Sequence, residues 1–335
     1  MPVMTTSRLT DSPRSIEING STQTICSVVF AEDGEQVLSG GKEGVIRRWR
    51  VDDRHEVGEP IRVEGAEIKA IALSPDGKWL ACGLRRARRL AFRYAYVRIW
   101  DARTHGKVVE IKSHTDSVLA VNVSPDSTKL ATGSADKTAC IWNIITGERL
   151  VSPLQHDDFV VAVRFSPNGD RLATATTAEN DEDEKTAKSI RIYDSGNGQL
   201  LFDTPCRFSR NMTSLAWSSD GRQLFAASYS QVKHFDTSSG SLLKEWLVPG
   251  GRRVASVILL RNQKLAVVAS KSLSFWDTSK YRQIGAVFEH TSTVWWIALS
   301  PNDDWIATGE ESGKVTLRNL RDILPVSYSS VNVSD

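Results

Sequence analysis

A large side chain, usually followed by an acid or an amide, recurs at Trp49, Trp100-Asp101, Trp142-Asn143, Tyr193-Asp194, Phe235-Asp236, Trp276-Asp277 and Arg318-Asn319. Successive intervals are 51, 42, 51, 42, 41 and 42 residues, so two units carry about nine extra residues and the rest keep one length. A period of this size marks a supersecondary unit that cannot cover both of its own faces, so neighbouring copies must stack and share a core. Seven such units, two insertions and short tails use up the 335 residues. One domain is therefore expected, not two.

Each unit has the same interior. Turn signals stand at Ala31-Glu32-Asp33-Gly34, Ser74-Pro75-Asp76-Gly77, Ser124-Pro125-Asp126-Ser127, Ser166-Pro167-Asn168-Gly169, Ser218-Ser219-Asp220-Gly221 and Ser300-Pro301-Asn302-Asp303, with a degraded copy near Arg261-Asn262-Gln263. Alternating apolar stretches flank them, such as Val118 to Val123 before and Lys129 to Thr132 after, which reads as strand, turn, strand. A third strand then ends in the large side chain. No stretch of helical period and adequate length appears, which excludes an α/β enzyme core.

Together, the Ser-Pro-Asp-Gly turns, the Trp-Asp ends and the histidines His114, His156 and His290 resemble the repeats of the WD-repeat (beta-transducin-like) propeller family. The resemblance covers roughly residues 14 to 322. It implies an all-β fold, a seven-bladed β-propeller of four-stranded antiparallel blades, in which Arg14 to Ile18 completes the last blade and closes the ring. Residues 1–13 and 323–335 are then expected to be flexible tails.

The same resemblance implies a structural tetrad in the third unit: His114, Thr132, Asp136 and Trp142, with Ser134 as the alternative hydroxyl. A hydrolase reading of His, Asp and hydroxyl would need an exposed strained turn and an oxyanion hole, and the sequence offers neither. A buried, fully satisfied network is the better reading. Other units lack a member, with Glu43 in place of Asp in the first, Tyr193 in place of Trp in the fourth and Arg318 in the seventh, so the blades should differ in stability. Trp295 and Trp296, adjacent on a first strand, are expected to pack into the core on opposite faces.

The insertions are the least regular features, and both fall between second and third strands. The first, residues 84–96, holds Arg85, Arg86, Arg88, Arg89 and Arg93 with Phe92, Tyr94 and Tyr96. Guanidinium groups pair with carboxylate or phosphate, and the rings can anchor a partner or stack on bases. The second, residues 177–188, carries Asp181, Glu182, Asp183 and Glu184, without the glycine-turned spacing of a calcium loop. Two units apart on one rim, they give that face opposite charged poles able to steer a dipolar protein partner.

Forty-two Lys and Arg against forty Asp and Glu leave a net charge of +2, so no global field draws in nucleic acid or an anionic membrane. Four scattered cysteines argue against a disulfide framework or a zinc site, and the start lacks the apolar core of a signal peptide. P-loop, G-x-G-x-x-G and H-E-x-x-H motifs are absent. The expectation is a non-catalytic, cofactor-free and metal-free scaffold in an intracellular setting, cytoplasmic or nuclear. It would be a monomeric propeller within a complex, binding a protein or peptide partner on the insertion-bearing face. The second reading is RNA or phosphoinositide binding through the Arg-rich 84–96 loop.

Overall fold

The computed structural model describes residues 15–86, 95–177, 190–204, 212–228, 231–248, 254–260, 264–269 and 271–324. It opens with β1 (Ser15–Asn19). Blade 1 follows as β2 (Ile25–Phe30), β3 (Gln36–Gly41), β4 (Val45–Arg50) and β5 (Ile61–Arg62). Blade 2 is β6 (Ala66–Leu73), β7 (Trp79–Arg86), β8 (Ala95–Asp101) and β9 (Lys107–His114). Blade 3 is β10 (Val118–Val123), β11 (Lys129–Ser134), β12 (Thr138–Asn143) and β13 (Leu154–Gln155). Blade 4 is β14 (Val160–Phe165), β15 (Arg171–Thr176), β16 (Ile190–Asp194) and β17 (Leu200–Thr204). Blade 5 is β18 (Met212–Trp217), β19 (Gln223–Ser228), β20 (Gln231–Asp236) and β21 (Leu242–Leu247). Blade 6 is β22 (Val254–Leu259), β23 (Lys264–Ala269), β24 (Ser272–Asp277) and β25 (Arg282–Glu289). The last sheet is β26 (Val294–Leu299), β27 (Trp305–Glu310) and β28 (Lys314–Asn319), with β1 as its outer strand, Ser15 facing Arg318 and Asn19 facing Lys314. A short helix, α1 (Leu320–Ile323), follows.

The fold is thus an all-β propeller of four-stranded antiparallel blades. Its innermost strands pack in sequence, β2 on β6, β6 on β10, β10 on β14, β14 on β18, β18 on β22 and β22 on β26, and β26 also packs on β2. The apolar core is divided the same way, each cluster lying between two neighbouring sheets. Leu130 and Trp142 of blade 3 meet Ala81 and Ile99 of blade 2, and Ile18 and Leu317 of the last sheet meet Ile25 and Val28 of blade 1. No blade covers itself, which is why the strands are apolar on both sides. Close approach also fixes some residue choices: a Cβ on Gly133 would lie 2.8 Å from Val160 Cγ1, and one on Gly309 would lie 2.7 Å from Ile25 Cγ2.

The two recurring turns have a local cause. In the first, Ser74 Oγ donates to Asp76 Oδ1 (2.6 Å) and accepts from Trp79 N (2.8 Å), while Gly77 takes φ +69. Ser124, Ser218 and Ser300 repeat the bond to Asp126, Asp220 and Asn302. In the second, the acid or amide after the large side chain accepts two backbone N–H groups of the turn that follows: Asp101 from Arg103 and Thr104, Asn143 from Ile145 and Thr146. A short side-chain oxygen there mimics the backbone and closes the hairpin.

Two boundaries differ from the sequence expectation. Ile323 and Leu324 are buried against Phe288 and Leu320, so packed structure runs past residue 322, because α1 covers an apolar end of the last sheet. The 84–96 insertion also begins and ends as strand: Leu84 and Ala95 are buried in β7 and β8, where apolar residues continue the ladder into the excursion.

Candidate functional site

The network in blade 3 is continuous. The indole N–H of Trp142 donates to Thr132 Oγ1 (3.0 Å), and His114 Nε2 lies 2.7 Å from the same oxygen. His114 Nδ1 lies 2.9 Å from Asp136 Oδ2, which also accepts from Thr115 N. A carboxylate only accepts, so Nδ1 carries the proton, Nε2 accepts from Thr132, and Thr132 accepts from Trp142. Burial pushes the Asp136 carboxyl up, but the bonds from His114, Thr138 and Thr115 outweigh it and hold the group at about 2. Ser134, the alternative hydroxyl, instead donates to the Asp116 carbonyl. With Thr132 and His114 buried, the set offers no approach to a substrate; it ties three strands together.

Blade 4 answers the same register differently. His156 Nδ1 lies 2.9 Å from the Leu154 carbonyl, and Nε2 receives Thr174 Oγ1 (2.8 Å) and the Tyr193 hydroxyl (3.3 Å). Burial, with nearby Arg191, pushes the His156 pKa down to about 4, so the ring is neutral. At the last sheet, His290 Nδ1 meets Glu310 Oε1 at 3.0 Å, Thr316 and Ser292 also donate to that carboxylate, and His290 Nε2 has no hydrogen-bond partner among the described residues. Arg318, in place of the tryptophan, lays its guanidinium 5.1 Å from the Phe288 ring centroid.

Sequence reasoning missed several members of these networks. Glu310 lies on β27 two residues after Thr308, a strand register that holds Ser134 in blade 3, so parity alone could have found it. In blade 6 the Trp276 indole donates to Ser274, two residues back on the same strand face (2.9 Å). In blade 1, Ser21 takes the histidine's place and donates to Glu43 (2.7 Å), while Trp49 donates to Ser39 (3.2 Å).

A second constellation lies at the other end of functional interest, on the face where second strands give way to third. Every innermost strand skips one residue in its pairing with the second strand: Cys26, Lys69, Leu119, Val161, Thr213, Ala255 and Trp295. A bulge releases its extra residue from the ladder and re-aims the side chain. Cys26, Lys69, Leu119 and Val161 are half-buried, and Trp295 is 36% exposed. Trp295 therefore departs from the expected core packing, because the bulge takes it out of the alternation, while Trp296 stays half-buried against the core.

These bulges neighbour the insertions: Ile68 pairs with Leu84 and Ala66 with Arg86 in blade 2, and Val160 pairs with Thr176 in blade 4. Of the basic candidates, Arg85 lies on β7, 3.6 Å from Glu67, which Lys69 approaches to 3.1 Å. Arg86 ends β7, and nothing is described of its side chain. Arg88, Arg89, Phe92, Arg93 and Tyr94 fall outside the described residues, as do Asp181, Glu182, Asp183 and Glu184. Burial pushes the Cys26 thiol up against the pull of Lys69 and Lys42. No described helix is long and apolar enough to cross a membrane.

The family model for the WD domain, G-beta repeat, matches residues 13–50, 106–143, 148–194 and 282–319. Each stretch covers the three inner strands of blade 1, 3 or 4 or of the last sheet, together with the outer strand that precedes them in the chain. Among curated proteins, the chain is 24% identical over 157 residues to pre-mRNA-processing factor 19 homolog 2 of Arabidopsis thaliana, covering 36% of this chain and 30% of that protein. It is 33% identical over 107 residues to the protein LST8 homolog of Drosophila pseudoobscura pseudoobscura, covering 32% and 33%. To the target of rapamycin complex subunit LST8 of Mus musculus it is 26% identical over 116 residues, covering 35% and 33%. The matches thus span about a third of the length of these relatives. Motif, blade architecture and family match agree that the chain carries WD repeats.

Proposed function

We propose that this chain is a non-catalytic interaction scaffold, a closed seven-bladed ring that takes a protein or peptide partner on the face bearing the two insertions. Ring closure is supported by the seven sheets of described strands, by β1 as the outer strand of the last sheet, and by the packing of β26 on β2. The observation that carries the binding reading is the set of bulge residues on that face, with Trp295 exposed at its rim. A large aromatic held outside the ladder on a rigid strand is the kind of anchor that dominates interfaces. The name of the mouse relative describes that protein as a complex subunit, which agrees with such a role.

The test is affinity purification with mass spectrometry of the intact chain, of chains lacking residues 87–94 or 178–189, and of a Trp295→Ala variant. Loss of the same partners from the Trp295 variant and at least one deletion is the expected result. Identical partner lists for the intact chain and all the altered chains would remove the proposal. The second reading, an RNA or phosphoinositide ligand, finds the Arg85 end of the basic loop already facing Glu67. Heparin retention that falls steeply with salt and vanishes without residues 87–94 would favour it instead.

A further inference from the structure

At the opposite end of the innermost strands lies a cavity of about 320 Å³, bordered by the first turns at Pro75, Pro125 and Pro167. Strands of blades 3 to 6 and of the last sheet contribute to its wall. Arg164, one residue before the end of β14, projects into it. The equivalent positions elsewhere hold Val29, Ala72, Ala216, Ile258 and Ala298, with Asn122 the other polar residue. Small neighbours leave the space that the arginine enters. Its guanidinium reaches across to lie 5.4 Å from the ring centroid of Trp296, three blades away.

No carboxylate pairs with Arg164 among the described residues. Its guanidinium makes one hydrogen bond there, from Nη1 to the adjacent Val163 carbonyl at 3.3 Å, while its own carbonyl accepts from the Trp217 indole. Arg191, by contrast, lies 2.6 Å from Asp157, and Arg171 donates to the Gly221 carbonyl and Thr237. Asn122 is already engaged by Phe165 N, and no described lining residue is acidic. A guanidinium has five N–H donors, and an enclosed charge without a counter-charge is costly. Burial pushes the group down to about 10, which leaves it charged at neutral pH.

We propose that this cavity binds a small organic carboxylate, its anionic end on the Arg164 guanidinium and its apolar body against Trp217, Val257 and Ile258. One cation, with no lysine beside it in the described wall, matches a monoanion and not a polyphosphate. The apolar walls select an organic acid over an inorganic anion. The site is on the face opposite the insertions, so it stands apart from the partner-binding reading.

Calorimetric titration of the full chain with benzoate, cyclohexanecarboxylate and octanoate tests this, with benzamide and inorganic phosphate as controls. At least one acid is expected to bind saturably, with benzamide and phosphate at least tenfold weaker, as loss of a charge-assisted hydrogen bond implies. Arg164→Gln should weaken binding by at least about tenfold and Arg164→Lys by less. Absence of saturable binding by all three acids, equal binding of benzamide, or unchanged binding to Arg164→Gln would each overturn the proposal. Should Arg164→Gln fail to fold, the arginine Nε–H resonances of the unaltered chain replace it. A shift of one arginine signal on acid titration, absent with phosphate and absent in Arg164→Lys, supports the site; no shift overturns it.

Discussion

Blades 3 and 4 each receive a histidine from the chain just before them, eighteen residues before a buried threonine, yet they close the hydrogen-bond network in opposite ways. In blade 3 the imidazole stands between a carboxylate and a hydroxyl, and an indole completes the chain. In blade 4 a backbone carbonyl replaces the carboxylate and a phenol replaces the indole. Blade 3 thus sets its histidine against a carboxylate, whereas blade 4 sets a neutral ring against a backbone carbonyl. The last sheet is a third case, with carboxylate support on one side of the ring and no partner among the described residues on the other. The same fold tolerates all three because stacking between blades supplies most of the burial, and the polar set has only to be satisfied.

The largest effect should come from His114→Ala. It strands the Thr132 hydroxyl and removes the principal hydrogen-bond partner of Asp136, so a loss of about 3 to 4 kcal/mol in unfolding free energy is expected by chemical denaturation. A loss no larger than that of His290→Ala would break the assignment of blade 3 as the complete network.

The pH dependence of blade 4 is next. His156 is held at about 4 against an unfolded value of 6.5, so the unfolded chain binds the proton first as pH falls. Its contribution is full above about pH 6.5 and is lost as pH falls toward 4, amounting to roughly 3 kcal/mol. Asp136, lowered to about 2 from 3.8, acts in a separate window: its stabilisation is present above about pH 3.8 and is lost as pH falls toward 2. His234, held at about 4 by burial, shares the first window. Stability measured from pH 7 to 4 should therefore lose part of its slope in His156→Gln and most of it when His234→Gln is added. An unchanged slope in the double variant would contradict the neutral-ring account.

His290→Ala should cost less, about 1 to 2 kcal/mol, because it also removes an unpartnered buried nitrogen while Thr316 and Ser292 keep Glu310 satisfied. Tyr193→Phe, which deletes a 3.3 Å bond but keeps the ring, should cost about 0.5 to 1 kcal/mol in the same assay. A larger loss for the phenylalanine than for the alanine variant would reverse the ranking of the two blades.

Much of this was legible in the residues. The 42-residue period, the Ser-Pro-Asp-Gly turns and the Trp-Asp ends located strands and hairpins because each rests on local chemistry, such as the Ser74 hydroxyl on Asp76 or Asp101 on the next two amides. The positions of His114, Thr132, Asp136 and Trp142 came from resemblance, and the structure brings all four within hydrogen-bonding distance. What escaped depended on pairing across strands. Glu310 reaches His290 only because β27 carries it inward, and Trp295 is exposed only because a bulge breaks the alternation that sequence parity assumes. In the sequence Arg164 is one polar position in an apolar strand; its setting exists only once blades three apart enclose a common cavity.

The most direct test of the scaffold account is an equilibrium titration of a partner recovered with the intact chain. It is repeated with a Lys69→Glu/Trp295→Ala variant and with Lys78→Glu, whose exposed side chain lies on the opposite turn face. The account predicts at least tenfold weaker binding for the double variant, as expected for loss of an aromatic anchor, and unchanged binding for Lys78→Glu. Equal affinity for the intact chain and the double variant, with both folded, would contradict it.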